Sequence, residues 1–515
     1  MIVFAFDGAG YNQFMEAVHS GKAPHIAALL GRDETGDVYA HAYSVPNALD
    51  VLPTTLPAWT ATFTGVSGGY NGITGDEFFV RSNAQFYAPV PVSVKNPDDT
   101  LMMLSSDLLG KMIESPTIYE QLDLRSYVSL NGVYRGADVF TGLDRTDYAA
   151  LLATLVREKL QDSRSYRGLF AKVDEDSVTT IINNIRRHGF ADLQVVYFPG
   201  VDLFTHRATN PLDAQVSYIE QVTDKSVGEI IAYYRKHGKL DNTYILFIAD
   251  HGHTPVLQDD RHALGNHTTN DLPRLLERTG FRVRPLRLDP STRDYQAVCA
   301  YEGVMAYIYL ADRSSCPDKG EICDWKKPPR LKEDVMPVVR ALYRSNLSGQ
   351  PVPEFRGALD LIFAREPVGP GHAARTFEVF DGTKLVPIYQ YLWEHPRPDL
   401  VDLDRRMRWL SQGPYGDRAG DIIVLPRFDI TLPIAQRFYF GPRYHSEHGS
   451  PTMQDSHIPL VVACPTKSGR ELRQMVERKL SPQPSQLDVV PLIRSLLKPS
   501  QRLEQLLVSA PAPAG

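Results

Sequence analysis

"TYILFIADHGH" covers residues 243–253, and its reading decides the fold. A short apolar run ends abruptly in Asp250 and His251. An uninterrupted apolar run of this length reads as a strand buried on both faces, as in a sheet covered by helices. Upstream, "PLDAQVSYIEQVTDKSVGEIIAYYRKHG" (211–238) carries Val216, Ile219, Val222, Val227, Ile230 and Ile231 near helical spacing. Gly238 supplies a stop. Further upstream, "LQVVYFPG" (193–200) repeats the apolar run and Asp202 follows it. "IVFAF" (2–6) does so again before Asp7 and Gly8, and "HIPLVVAC" (457–464) is a fourth candidate. Apolar strands alternating with amphipathic helices predict an α/β fold, a mostly parallel central sheet with helices on both faces.

The 515 residues exceed one minimal core, and the 43% apolar content allows a large one. Residues 259–444 differ in texture, with "KKPPR", "SGQPVPEF", "EPVGPGH" and "HPRPD" among strand candidates "VMAYIYL", "DLIFA" and "GDIIVLP". They read as an accessory insertion that partly completes the fold and walls a cleft. A catalytic core of 1–258 and 445–500 remains, and the tail 501–515, ending "APAPAG", is expected to be disordered.

With 55 basic and 61 acidic residues the net charge is −6, and no Lys/Arg block or basic stripe with interleaved aromatics occurs. A nucleic-acid-binding patch is therefore not expected. No run approaches the ~18 apolar residues of a membrane span, and "MIVFAFDGAG" lacks the basic start of a signal peptide. The chain as it stands reads as soluble, in the cytoplasm or outside it after removal of a leader. Its oligomeric state is not encoded in any readable pattern. The four cysteines form no C-x-x-C pair. Cys316 and Cys323 flank "PDKGEI", which fits a small disulfide loop and two free thiols equally well.

In open α/β sheets, ligands collect beyond the carboxyl ends of the strands. Asp7 follows the first strand candidate, Asp202 and His206 ("DLFTH") the second, and Asp250 and His251 the third. His448 ("YHSEHGSP") lies in a Gly-containing loop before the fourth. Three carboxylates and three imidazoles make a mixed N/O donor set that suits zinc and is large enough for two ions. "LPTTLPAWTATFTG" (52–65) adds a hydroxyl-rich turn in which Thr54 and Thr55 are either helix-capping residues or hold a nucleophile.

In this order "FAFDG", "PTTLPAWTATFTG", "FPGVDLFTH", "IADHGH" and "EHGSPTMQDSHIPL" resemble the alkaline phosphatase superfamily, most nearly its type I phosphodiesterase/nucleotide pyrophosphatase branch. The resemblance runs from Asp7 to about Cys464. It implies an alkaline phosphatase-like fold and two Zn2+ per chain. The nucleophile it implies is Thr55, before Leu56 and Pro57, working through a phospho-threonine intermediate. One zinc would take Asp7, Thr55, Asp250 and His251; the other would take Asp202, His206 and His448. A small phosphate ester is the implied substrate.

Two departures from the family pattern bear on that substrate. "NGITGDEF" has Asn71 where the branch usually has His, and Asp76 where an Asn donates to phosphate. An ionised Asp cannot donate, and it repels a dianionic monoester more than a monoanionic diester. "GVYRGA" offers Arg135 as a phosphate contact but no neighbouring Lys. The reading is therefore a dinuclear zinc phosphoesterase favouring phosphodiester and pyrophosphate bonds. The alternatives are a phosphate monoesterase of the same superfamily and a non-catalytic, metal-stabilised binding protein. "TTLPAW" lacks the C/S-x-P-x-R context of a sulfatase nucleophile. His253, His262, His267 and His445 lie near these motifs and read as surface or supporting positions.

Overall fold

The computed structural model describes residues 1–90, 108–142, 163–265, 271–285, 292–370 and 375–497. The tail 501–515 and His267 lie outside the described residues. The central sheet is built from β1 (Ile2–Phe6), β2 (Ala42–Ser44), β3 (Ser126–Ser129), β4 (Val139–Thr141), β5 (Leu193–Phe198), β6 (Ile245–Ala249) and β7 (Leu460–Ala463). Its order is β2-β7-β6-β1-β5-β3-β4. β1 pairs in parallel with β5 and with β6, and β3 pairs in parallel with β5 and β4. β7 is antiparallel to both its neighbours, β6 and β2. All of β1, β5, β6 and β7 is buried, as expected of apolar runs covered on both faces.

The segment before β6 forms helices Pro211–Tyr218 and Asp224–Lys236, joined by a single wide turn at Ile219–Thr223. Its apolar stripe, including Val216, Ile219, Val227 and Ile230, packs into the core of the central sheet. Gly238 ends it at φ +64°, a left-handed conformation that costs glycine little.

The runs "VMAYIYL", "DLIFA" and "GDIIVLP" supply strands Met305–Leu310, Leu359–Ala364 and Ile422–Pro426 of a second, six-stranded antiparallel sheet. Its strands alternate between two cores. Val298 and Ala300 face one side, with Met407 and Leu410 of helix Leu403–Ser411. Ala297, Cys299 and Tyr301 face the other, with Val338 and Leu342 of helix Met336–Ser348. The period of two thus serves two apolar layers. Cys316 and Cys323 form a disulfide. Among the described residues no helix is long and apolar enough to cross a membrane.

Candidate active site

β1, β5 and β6 are adjacent and parallel, so their carboxyl ends bring Asp7, the helix Gly200–Thr205 and Asp250 to one edge. β7 runs the other way, so the chain entering it starts from that same edge. Ser446–Glu447 pairs antiparallel with Thr254–Pro255, which stitches the His448 loop to the loop after β6. Six sequence-predicted donors converge there, from four segments far apart in the chain.

One half of the site surrounds His251. Asp250 Oδ1 accepts the backbone N–H of Gly8 at 2.8 Å and of His251 at 3.0 Å. Asp7 Oδ2 accepts the Tyr197 hydroxyl. The other oxygens, Asp7 Oδ1 and Asp250 Oδ2, are buried and have no hydrogen-bond partner among the described residues. His251 Nδ1 donates to the Gly252 carbonyl at 3.1 Å, so its Nε2 carries a bare lone pair. That Nε2 stands 3.6 Å from Asp7 Oδ1, 3.5 Å from Asp250 Oδ2 and 3.3 Å from Thr55 Oγ1. Donors bound at ~2.0–2.1 Å around a tetrahedral ion lie ~3.3 Å apart. Orphaned buried oxygens at that separation fit a divalent cation.

Thr55 opens the helix Thr55–Thr64 and is its only residue that is not buried. Thr54 precedes the helix, fully buried, and its hydroxyl makes no cap hydrogen bond. Thr62 and Thr64 donate to helix carbonyls of Ala58 and Thr60. Of the hydroxyls in this stretch, Thr55 is therefore the one both accessible and facing the donor set.

The other half surrounds Asp202. His206 lies one turn after it, and the two face each other with Nε2 at 3.3 Å from Oδ1; His448 Nε2 is 3.6 Å from the same oxygen. His206 Nδ1 donates to Ser446 O at 2.7 Å and His448 Nδ1 to Pro53 O at 2.8 Å. Both rings thus turn Nε2 inward, toward Asp202. The His251 and His448 rings stack at 3.6 Å between centroids, joining the halves.

Electrostatics separate the halves. Burial pushes Asp7 well above the usual carboxylate range, with Asp250 and Asp202 adding to it, and pushes Asp250 up to about 8. Burial also drives His251 down to about 3 and His448 well below its ordinary value. Around Asp202, burial acts toward the neutral forms but is outweighed. The facing charges hold Asp202 well below its ordinary range and lift His206 to about 9.

Two predicted substrate contacts take other roles. Arg135 gives Nε and Nη2 to Glu120 and its remaining N–H groups to the carbonyls of Gly110, Ile113 and Ser115. Five donors are thereby engaged in holding a loop, and a guanidinium has no more. The expected phosphate contact at Arg135 is corrected accordingly. Asp76 does lie at the site, but its Oδ1 accepts the Leu56 N–H at 2.8 Å, at the start of the Thr55 helix. Burial lifts its carboxyl to about 7. Asn71 folds its own turn, donating to Val66 O and accepting from Ile73 N–H.

Sequence reasoning passed over two buried groups, Tyr197 and Glu447, and left a third, His253, among surface or supporting positions. Tyr197 orients Asp7, Glu447 neighbours His206 and His448, and His253 touches Asp202. The "DHGH" spacing was a signal for His253; nothing local marked the others. His262 is held by Asp259 and the Ala435 carbonyl, and the His445 side chain is half-buried.

The sequence model of the type I phosphodiesterase/nucleotide pyrophosphatase family matches residues 1–314. The chain belongs to that family. No curated protein matches the sequence. Among solved structures, murine ectonucleotide pyrophosphatase/phosphodiesterase 5 is similar at a TM-score of 0.52 and 13% identity, over 97% of this chain and 95% of that one. An inactive form of the same murine protein in complex with AMP is similar at a TM-score of 0.50 and 14% identity, with the same coverage. Phosphonoacetate hydrolase from Sinorhizobium meliloti 1021, in complex with phosphonoacetate, gives 0.50 and 14%, over 96% of this chain and 95% of that one. At such identities the likeness establishes the alkaline phosphatase-like fold; the family membership rests on the sequence model, and with it phosphoester hydrolysis.

Proposed function

We propose that this chain is a two-metal, zinc-dependent phosphodiesterase or nucleotide pyrophosphatase with Thr55 as its nucleophile. The carrying observation is the Thr55 hydroxyl, alone accessible in its helix and 3.3 Å from the bare Nε2 of His251. Asp7, Asp250, His251 and Thr55 would hold one ion, and Asp202, His206 and His448 the other. When bound, such a pair of ions lowers the pKa of a coordinated hydroxyl and neutralises charge on the attacking and leaving oxygens.

This chain's residues do the rest. Gly8 and His251 amides fix Asp250, and Tyr197 fixes Asp7, so the carboxylates need no reorganisation on binding. Thr55 Oγ1 attacks phosphorus in line with the leaving oxygen. The Thr55 hydroxyl proton is released to solvent, the Oγ1–P bond forms as the ester P–O bond breaks, and the departing oxygen takes a proton from solvent, giving phospho-threonine and the released alcohol or nucleotide. Water then cleaves phospho-threonine and restores the hydroxyl. Asp76 places a carboxyl at the helix start where phosphate charge would gather, which favours monoanionic diesters over dianionic monoesters. In this reading 1–258 and 445–500 carry the chemistry and 259–444 walls the cleft.

The AMP complex of the murine relative makes nucleotide esters sensible first probes. The test is hydrolysis of bis-p-nitrophenyl phosphate and of a nucleotide pyrophosphate by zinc-loaded protein, with a [32P]-substrate quench to trap label on Thr55. Absence of turnover and of label in protein carrying two zinc ions would reject the reading in favour of a binding protein.

A further inference from the structure

We propose that His253 is a positioning residue, a hydrogen-bond donor that sets the Asp202 carboxylate and is itself held by Ser446. The proposal rests on the metal-binding part of the reading above. His253 is fully buried, two residues beyond His251. Its Nε2 is 2.9 Å from Asp202 Oδ1, against 3.3 Å for His206 and 3.6 Å for His448. The longer pair matches the ~3.3 Å between donors sharing one tetrahedral ion. The shortest falls inside the ~2.7–3.2 Å range of an N–H···O hydrogen bond.

The opposite ring nitrogens support the same division. His206, His251 and His448 each meet a carbonyl through Nδ1, and a carbonyl only accepts, so each has its proton on Nδ1. His253 Nδ1 instead meets the Ser446 hydroxyl at 3.1 Å, which can donate. Ser446 Oγ also lies 3.2 Å from Thr205 O, so its single proton has two claimants. With Ser446 O–H donating to an accepting His253 Nδ1, the ring proton is on Nε2 and points at Asp202. The opposite assignment sets two lone pairs face to face at 2.9 Å. Gly8 closes the space around the contact. At φ +66° any Cβ there would lie 2.6 Å from His253 Nε2 and 2.9 Å from Asp202 Cβ.

The chain Ser446 O–H to His253 to Asp202 therefore fixes one lone pair of Asp202 Oδ1 and leaves the other for an ion. Loss of such a supporting bond typically weakens metal binding ~10–100-fold. The test measures zinc affinity of the full chain by competition with a chromophoric chelator, and counts imidazoles on the cobalt-substituted protein by X-ray absorption. His253→Ala should weaken one of two sites by ~10–100-fold with the imidazole count unchanged. His253→Gln, which returns an amide N–H, should recover most of the loss, and Ser446→Ala should show a smaller one. Should His253→Ala not fold by circular dichroism, the other two variants decide. Unchanged affinity in the variants overturns the proposal. So does loss of one imidazole in His253→Ala, which would make His253 a ligand, and so does a wild type that binds no divalent ion. A chain that binds zinc but cleaves no ester would reject the proposed function and leave this inference intact.

Discussion

The two halves of the site use the same residue types in opposite electrostatic states. Around His251, two carboxylates meet one imidazole, and burial holds all three toward their neutral forms. Around Asp202, two carboxylates, Asp202 and Glu447, meet three imidazoles, and the Asp202 pair with His206 is charged. The difference is one of stoichiometry. Two acids with one imidazole in a dry site cannot both ionise without a cation, whereas an acid among several basic rings can keep its charge by protonating one of them. Both halves therefore carry protons that a divalent ion would displace, from carboxyls in one and from imidazole in the other.

The largest expected effect separates Thr55 from everything else. Thr55→Ala should lower kcat by ~10^3-fold or more, while Thr54→Ala changes it by less than ~10-fold, with the fold intact by circular dichroism. A reversal between the two variants would move the nucleophile to Thr54. Next comes the independence of the halves. His251→Ala should reduce bound zinc from about two ions to about one, and His448→Ala should do the same at the other half. Elemental analysis of each variant and of the double variant checks this. Loss of both ions from either single variant would mean that the halves bind as a unit.

A third expectation concerns pH in chelator. Asp250 rises from 3.8 to about 8 and His206 from 6.5 to about 9 on folding. Folded values above the unfolded ones mean that the metal-free fold binds more protons than the unfolded chain between pH ~6.5 and ~8. Its stability is present below this window and is lost as pH rises through it. His251 and His448, displaced downward, act only below about 6.5 and do not reverse the sign. The Tm of metal-free protein should therefore fall from pH 6.5 to 8, and that of zinc-loaded protein should not; scanning fluorimetry of both forms measures it. The smallest effect is at Asp76. Asp76→Asn keeps the Leu56 cap but removes a potential charge, so the diester-to-monoester ratio of kcat/KM should fall by ~3–10-fold. Arg135→Ala should leave that ratio unchanged and lower Tm instead.

Much of the core was legible because β1, β5, β6 and β7 are wholly buried, and a buried strand is an apolar run whatever surrounds it. Ala42–Ser44, Ser126–Ser129 and Val139–Thr141 were not, being three or four residues long and partly polar. The reversed direction of β7 was also hidden, since an apolar run reads the same for either direction. Arg135 was misassigned because its partners, Glu120 and three carbonyls, are set by loop packing.

By itself the sequence determined which side chains can meet at this edge and which hydroxyls compete beside them. Those follow from periodicity and from residues adjacent in the chain, which are local properties. Only the tertiary structure decided which oxygen of each acid is free, which ring nitrogen is bare and which threonine is accessible. Most of those depend on a partner far along the chain: the Gly8 amide on Asp250, the Pro53 carbonyl on His448, the Ser446 hydroxyl on His253. A carboxylate or an imidazole has two nearly equivalent polar atoms, and only the group that occupies one of them leaves the other for chemistry.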